Sequence, residues 1–165
     1  MRAIFHADRE WGIGRGNALM FSIPQDMKFF RETTKGKVVV MGLNTLLSFP
    51  NGKPLKNRVN IVLCPDDVPE DVITVHSPQE LFEEVKKYPA DDVFVIGGAS
   101  VYRLLIPYCT EVLVTRVDAV GGADTFVPDL DRDENFALVS ESAPVEDNGY
   151  TFTFRTYRNL APKAY

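Results

Sequence analysis

Two short apolar runs constrain this chain more than any other feature: Val38-Val39-Val40-Met41 and Val93-Phe94-Val95-Ile96. Neither alternates with polar residues, so neither suits a strand with one wet face. Each reads as a strand buried on both sides by helices. Gly42 closes the first run and Gly97-Gly98 the second, and a helical segment follows each. In all, eight stretches read as strands, at about 3–7, 37–41, 58–63, 72–75, 92–96, 111–117, 137–141 and 150–157. Ser22-Ile23-Pro24-Gln25 reads as a capping box opening a helix to about residue 33. Ser77-Pro78-Gln79-Glu80 repeats the device before a helix over about 81–88, and two shorter helices follow Gly42 and Gly98. The alternation predicts an α/β fold: a central eight-stranded, mostly parallel sheet flanked by about four helices. The last two predicted strands have no helix between them, so they should form an antiparallel C-terminal hairpin. With 165 residues, 45% hydrophobic, and no repeat or linker, residues 1–165 read as a single domain with one core.

The charge balance narrows the partners. A formal net charge of −5 repels phosphate backbones, so nucleic acid is not expected. No apolar run approaches membrane-spanning length, and the N-terminus lacks the apolar region of a signal peptide. Cys64 and Cys109 form no Cys-x-x-Cys, and His6 and His76 lie far apart. Reduced thiols, a cytoplasmic location and no metal are therefore expected.

Four features suggest a site. The segments Val40-Met41-Gly42-Leu43-Asn44-Thr45 and Val95-Ile96-Gly97-Gly98-Ala99-Ser100 both run from buried strand through glycine into a helix start. Such ends admit phosphate oxygens to unpaired N–H groups, and two on neighbouring strands could hold a pyrophosphate. Alone, either reads better as a tight turn and close packing; together they point toward phosphate binding. Gly12-Ile13-Gly14-Arg15-Gly16-Asn17 fails the dinucleotide fingerprint at Asn17 and reads instead as a flexible loop placed to cover a site. The helix after Pro24 sets Asp26 on one side with Met27 and Phe30. An inward carboxylate needs a partner or takes up a proton, and either suits binding of an amidine-like heterocycle. Arg58 opens a strand; on spacing it reads as a surface arginine, and at a cleft mouth its fork would suit a carboxylate.

These fragments, in this order, resemble the dihydrofolate reductase family over essentially the whole chain. The matching segments are Gly12-Ile13-Gly14, Asn17-Ala18-Leu19, Ile23-Pro24-Gln25-Asp26, Val40-Met41-Gly42 with Thr45, and Pro54-Leu55 with Arg58-Val59-Asn60. Val95-Ile96-Gly97-Gly98 with Val101-Tyr102 follows, then Ala123-Asp124-Thr125 before Pro128. The resemblance implies hydride transfer from a reduced nicotinamide to C6 of dihydrofolate, with a proton delivered to N5. It makes Asp26 the catalytic acid that bonds the pterin's 2-amino group and N3, supported by Thr115. Ile4, Phe21, Met27, Phe30, Phe49, Leu55 and Ile96 would line the pterin pocket, and Arg58 would clamp the substrate's glutamate. Ile13, Asn17, Ala18 and Leu19 would close over the nicotinamide beside His6, with Asp124 holding that loop shut and Thr125 near it. Gly42, Asn44 and Thr45, with Gly97, Gly98, Ala99, Ser100, Val101 and Tyr102, would hold pyrophosphate and ribose, and Leu63 and Cys64 would border the adenosine. The partners implied are dihydrofolate and antifolate inhibitors, and the state implied is a monomer. A riboflavin-pathway pyrimidine reductase of the same fold, or a silent pterin- or dinucleotide-binding module, are the alternatives.

Two departures from the family pattern stand out. Met20-Phe21 replaces the usual Pro-Trp, which keeps apolar bulk but removes an indole N–H. Leu43, Cys64 and Ser100 stand where cations or hydroxyls usually grip the 2′-phosphate, with Asp66 and Asp67 beyond. NADPH is the implied cofactor, and its preference over NADH should be reduced or reversed.

Overall fold

The computed structural model describes residues 1–68 and 71–165. In chain order the strands are β1 (Arg2–Ala7), β2 (Gly12–Gly14), β3 (Val38–Gly42), β4 (Val59–Leu63), β5 (Ile73–Val75), β6 (Val93–Gly97), β7 (Glu111–Val117), β8 (Thr125–Phe126), β9 (Phe136–Glu141), β10 (Val145–Asp147) and β11 (Tyr150–Asn159). The helices are α1 (Pro24–Thr34), α2 (Leu43–Ser48), α3 (Pro78–Val85) and α4 (Ala99–Leu105). The main sheet runs β10-β11-β7-β1-β6-β3-β4-β5, with β9 also on β11. All contacts from β7 through β1, β6, β3 and β4 to β5 are parallel, and those of β11 are antiparallel.

The α/β architecture matches the expectation, with nine strands in the main sheet because the outermost one is interrupted. Both β9 and β10 pair with β11, and Pro144, which has no N–H for a ladder, lies in the gap between them. Asn148 and Gly149, with φ of 51° and 83°, turn β10 into β11 as a two-residue hairpin loop requires. The glycine-rich loop differs from the expectation too. Gly12–Gly14 forms a strand, β2, which pairs with β8 in a small second sheet.

Strand alternation divides the core into two faces. Ala3, Phe5, Val38, Val40, Val93, Val95, Val112 and Val114 point one way and pack under α3 and α4 through Leu81, Val85, Val101 and Leu105. Val39, Met41 and Val62 point the other way, against Leu46 of α2. Helix α1 leans on β11 through Phe29, whose ring lies 4.7 Å from that of Phe154.

The two expected capping boxes have different fates. At α3, Ser77 accepts the Glu80 N–H at 3.1 Å, as read from sequence, while Glu80 reaches one residue past the cap and accepts the His76 N–H at 2.7 Å. At α1 the cap position is Ile23, one residue later than expected, and it makes no side-chain cap. The Gln25 N–H is instead satisfied by Asp147 of β10 at 2.8 Å, while Asn148 donates to the Ser22 carbonyl at 2.6 Å. The capping carboxylate comes from the C-terminal hairpin, where a local motif cannot show it.

Candidate functional site

Parallel pairing of β1 and β7 sets His6 directly opposite Thr115. Pro24 starts α1, and the Asp147 cap fixes its first turn, so that Asp26 meets this pair. The Thr115 hydroxyl donates to Asp26 Oδ1 at 2.6 Å, and His6 Nδ1 lies 3.2 Å from Oδ2. His6 and Thr115 are buried, while the Asp26 side chain remains 15% exposed. Phe21 is buried beside them, its ring 5.7 Å from the imidazole and 4.9 Å from Tyr150. The acid is thus held by polar partners on one side and open on the other. His6, expected among the cofactor contacts, turns its Nδ1 to Asp26.

The expected apolar walls divide into buried and open members. Ile4 is buried in β1, and Phe49, Leu55 and Ile96 pack half-buried against the Met41–Leu46 cluster. Asn60, buried in β4, holds the Leu55 segment by accepting the Leu55 N–H and donating to the Leu55 carbonyl. Met27 is not the packed inward residue expected; it is 48% exposed, and α1 fully buries only Thr34. Phe30 is half-buried. Arg58 is no free surface arginine: its Nε donates to Thr34 Oγ1 at 2.8 Å, and its two terminal nitrogens reach the Lys56 and Arg31 carbonyls. Burial, then the charge of Arg31, lower its pKa from the ordinary arginine range, and it remains a cation at the end of α1.

The two glycine junctions do come together. Met41 pairs with Gly97 in the β3–β6 ladder, and Thr45 of α2 stands beside Gly97 and Gly98. Each glycine has its own reason. A Cβ on Gly42 would stand 3.1 Å from Val101, and Gly97, with φ of 122°, would press one 3.2 Å from the Tyr102 ring. Both serve close packing. Gly98 has an ordinary φ of −84°, and its Cβ would meet Thr45 Oγ1 only at 3.7 Å, so packing does not demand glycine there. Its open backbone precedes the unpaired first amides of α4, Ala99 and Ser100 among them. Val101 and Tyr102 are buried, and the Tyr102 hydroxyl is already bonded to the Ile4 carbonyl at 2.8 Å, with burial pushing the phenol's pKa well up. The Val101 N–H belongs with the unpaired first amides of α4, whereas the Tyr102 N–H is bonded to the Gly98 carbonyl.

The loop over 13–19 is held from three places. Asp124 accepts the Gly16 N–H at 2.9 Å, as expected of it. Asn17 donates across to the Asn44 carbonyl at 3.1 Å, and Thr125 pairs with Gly14. Asp8, missed in the sequence, is fully buried and accepts the N–H groups of Glu10, Gly12 and Gly121. Its signal was an Asx turn, an aspartate bonding the amide two residues on, just before the glycine-rich segment. Ile13 is half-buried, whereas Ala18 and Leu19 are exposed. Beyond β4, half-buried Leu63 leads to Cys64, whose buried thiol donates to the Asp66 carbonyl at 2.9 Å. Leu43, Asn44 and Ser100 are exposed. His76, also missed, bonds the Cys64 carbonyl and Asp67, each at 3.0 Å. The bond to Cys64 first, with Asp67 and Glu80 behind it, raises its pKa against a smaller desolvation effect.

A dihydrofolate reductase family model matches residues 1–159. The chain belongs to the dihydrofolate reductase family. It is 33% identical to a Bacillus subtilis dihydrofolate reductase over 93% of this chain and 91% of that one. It is also 33% identical to a bifunctional dihydrofolate reductase-thymidylate synthase of Arabidopsis thaliana, covering 99% of this chain but only 35% of that protein. The chain thus spans about a third of its bifunctional plant relatives. A solved dihydrofolate reductase from Enterococcus faecalis, complexed with NADP(H) and RAB-propyl, superposes with a TM-score of 0.82 at 34% identity, covering 96% of this chain and 95% of that one. The family resemblance read from the motifs thereby holds, and the riboflavin-pathway alternative gains no support.

Proposed function

We propose that the chain, acting as a single domain, reduces 7,8-dihydrofolate to 5,6,7,8-tetrahydrofolate. The observation that carries this reading is Asp26, a carboxylate braced by Thr115 at 2.6 Å yet open on its far side. A pterin presents an amidine edge, a 2-amino group beside N3, that pairs with a carboxylate in two parallel hydrogen bonds. The negative charge of Asp26 then favours positive charge on the bound pterin and so protonation at N5. Ile4, Phe49, Leu55 and Ile96 offer apolar surface for the ring faces, with Met27 and Phe30 on the α1 side. Arg58 uses three of its N–H groups on Thr34, Lys56 and Arg31, which leaves two of a guanidinium's roughly five donors for the substrate's carboxylate.

The residues present fit a nicotinamide dinucleotide. Gly98 leaves backbone open before α4, and α2 starts alongside with Asn44 and Thr45. Bound there, the reduced nicotinamide would supply hydride to C6. Ile13, Asn17, Ala18 and Leu19 would exclude water over it, which strengthens the field of Asp26. At the adenosine end, Leu43 offers no cation, the Cys64 thiol is committed to Asp66, and His76 is tied to Asp67. NADPH is the cofactor, with a weakened preference over NADH. Diaminopyrimidine-type antifolates would use the same Asp26 contact. The chain works as a monomer in the cytoplasm, where its two buried thiols stay unpaired.

The test follows the loss of reduced-nicotinamide absorbance with dihydrofolate, using NADPH and NADH in parallel, for the wild type and Asp26→Asn. Turnover by the wild type that largely disappears in the variant at neutral pH is expected. No wild-type turnover with either cofactor would refute the assignment, and a large NADPH preference would refute the adenosine-end reading alone.

A further inference from the structure

Asp26 has a second side-chain partner that its reaction does not by itself require. His6 Nδ1 stands 3.2 Å from Oδ2, its side chain is only 3% exposed, and its Nε2 is buried without a hydrogen-bond partner among the described residues. An ionised carboxylate can only accept, so its bond to Nδ1 requires the hydrogen to sit on that nitrogen. Nε2 is then a lone pair without a partner among the described residues, on a ring whose centroid lies 5.7 Å from that of Phe21. Thr115 and His6 therefore present one donor to each oxygen of Asp26.

We propose that His6 is a positioning residue that orients Asp26 through an Nδ1–H···Oδ2 bond. The proposal rests on the folate reading above for its catalytic half. With a neutral imidazole the pair carries one negative charge, which a pterin can use.

The surroundings leave this pair isolated. Asp26 faces His6 from α1, Thr115 from β7 and the apolar Phe21 from the segment before α1. Asp8, beyond the end of β1, is committed to backbone amides. Arg116, next on β7, turns to the Asp8 and Arg9 carbonyls and to Asp131. Among the described residues, Asp26 is the one charged side chain bonded to His6.

The experiment compares wild type, His6→Asn and His6→Ala in kcat and KM with dihydrofolate from about pH 5 to 9, together with ¹⁵N spectra of the histidine rings in the ligand-free protein. The asparagine amide stands near the place of Nδ1, can donate, and does not titrate. His6→Ala is expected to lower kcat by roughly tenfold with a smaller change in KM. His6→Asn, which keeps a donor, should restore most of kcat at neutral pH. With only two histidines in the chain, His76→Gln assigns the ring signals, and His6 should carry its hydrogen on Nδ1. A His6→Asn variant as slow as His6→Ala would overturn the orienting role. A neutral His6 protonated at Nε2 instead would overturn the bond. The spectra need no turnover, so an inactive wild type with Nδ1-protonated His6 would refute the folate reading while supporting the orienting bond.

Discussion

Replacing Thr115 with valine removes one hydroxyl and nothing else of size, which makes it a clean measure of how Asp26 is held. The hydroxyl is 2.6 Å from Oδ1 and its residue is 2% exposed, so valine fills the same space without opening a cavity. A hydrogen bond to a charged group contributes about 1.5–3 kcal/mol. Asp26 retains 15% exposure, so water can replace part of the lost bond. The net loss is then about 1–2 kcal/mol, or roughly a 5- to 30-fold fall in kcat/KM for dihydrofolate at neutral pH. Thr115→Ser keeps the donor and should stay within about threefold of wild type, the range left when an equivalent bond persists. Denaturant midpoints for both variants should change little, because the valine methyl offsets part of the lost polar contact. Steady-state kinetics on the three proteins decide the matter. If valine is as active as threonine, or serine as poor as valine, then the hydroxyl is not what holds the carboxylate.

Other consequences can be checked independently. Asp147→Ala removes the cap on the Gln25 N–H and should cost about 1 kcal/mol, lowering Tm by roughly 2–4 °C in calorimetry; an unchanged Tm would mean that water replaces the cap fully. Leu43→Arg puts a cation on exposed backbone at the start of α2 and should raise the NADPH-to-NADH ratio of kcat/KM by roughly tenfold; an unchanged ratio would place the 2′-phosphate elsewhere. Burial pushes the Cys109 thiol up to about 12 from 9.0, and burial with the Asp131 bond pushes the Tyr157 phenol up to about 12 from 10.0. Both acids keep their protons longer in the folded state than in the unfolded one. Their contribution to stability is full below about pH 9 and is lost as the pH rises toward 12, so urea midpoints should fall steadily across that window, and a flat profile would refute the assignment.

Much of this protein was legible in the residues themselves. The runs at Val38–Gly42 and Val93–Gly97 declare buried parallel strands because no polar residue interrupts them. Ser77 and Glu80 announce their cap because both partners lie within one helical turn. Asp26 was visible as an acid on an apolar helix side, although that side proved to be an open face with Met27 exposed rather than a packed stripe. Arg58 was visible only as a candidate: its anchoring depends on the end of α1 meeting the start of β4, 24 residues away from Thr34 in sequence.

What tertiary structure alone decided is which distant groups share a bond. His6 joins Asp26 across 20 residues, Thr115 joins it across 89, and Asp147 caps α1 across 122. Local propensity acts over a few residues, so sequence can mark a strand, a cap or an unusual acid. Strand register and helix placement set the partners of buried polar groups, because only the folded sheet brings β1, β7 and the C-terminal hairpin within hydrogen-bond reach of one helix.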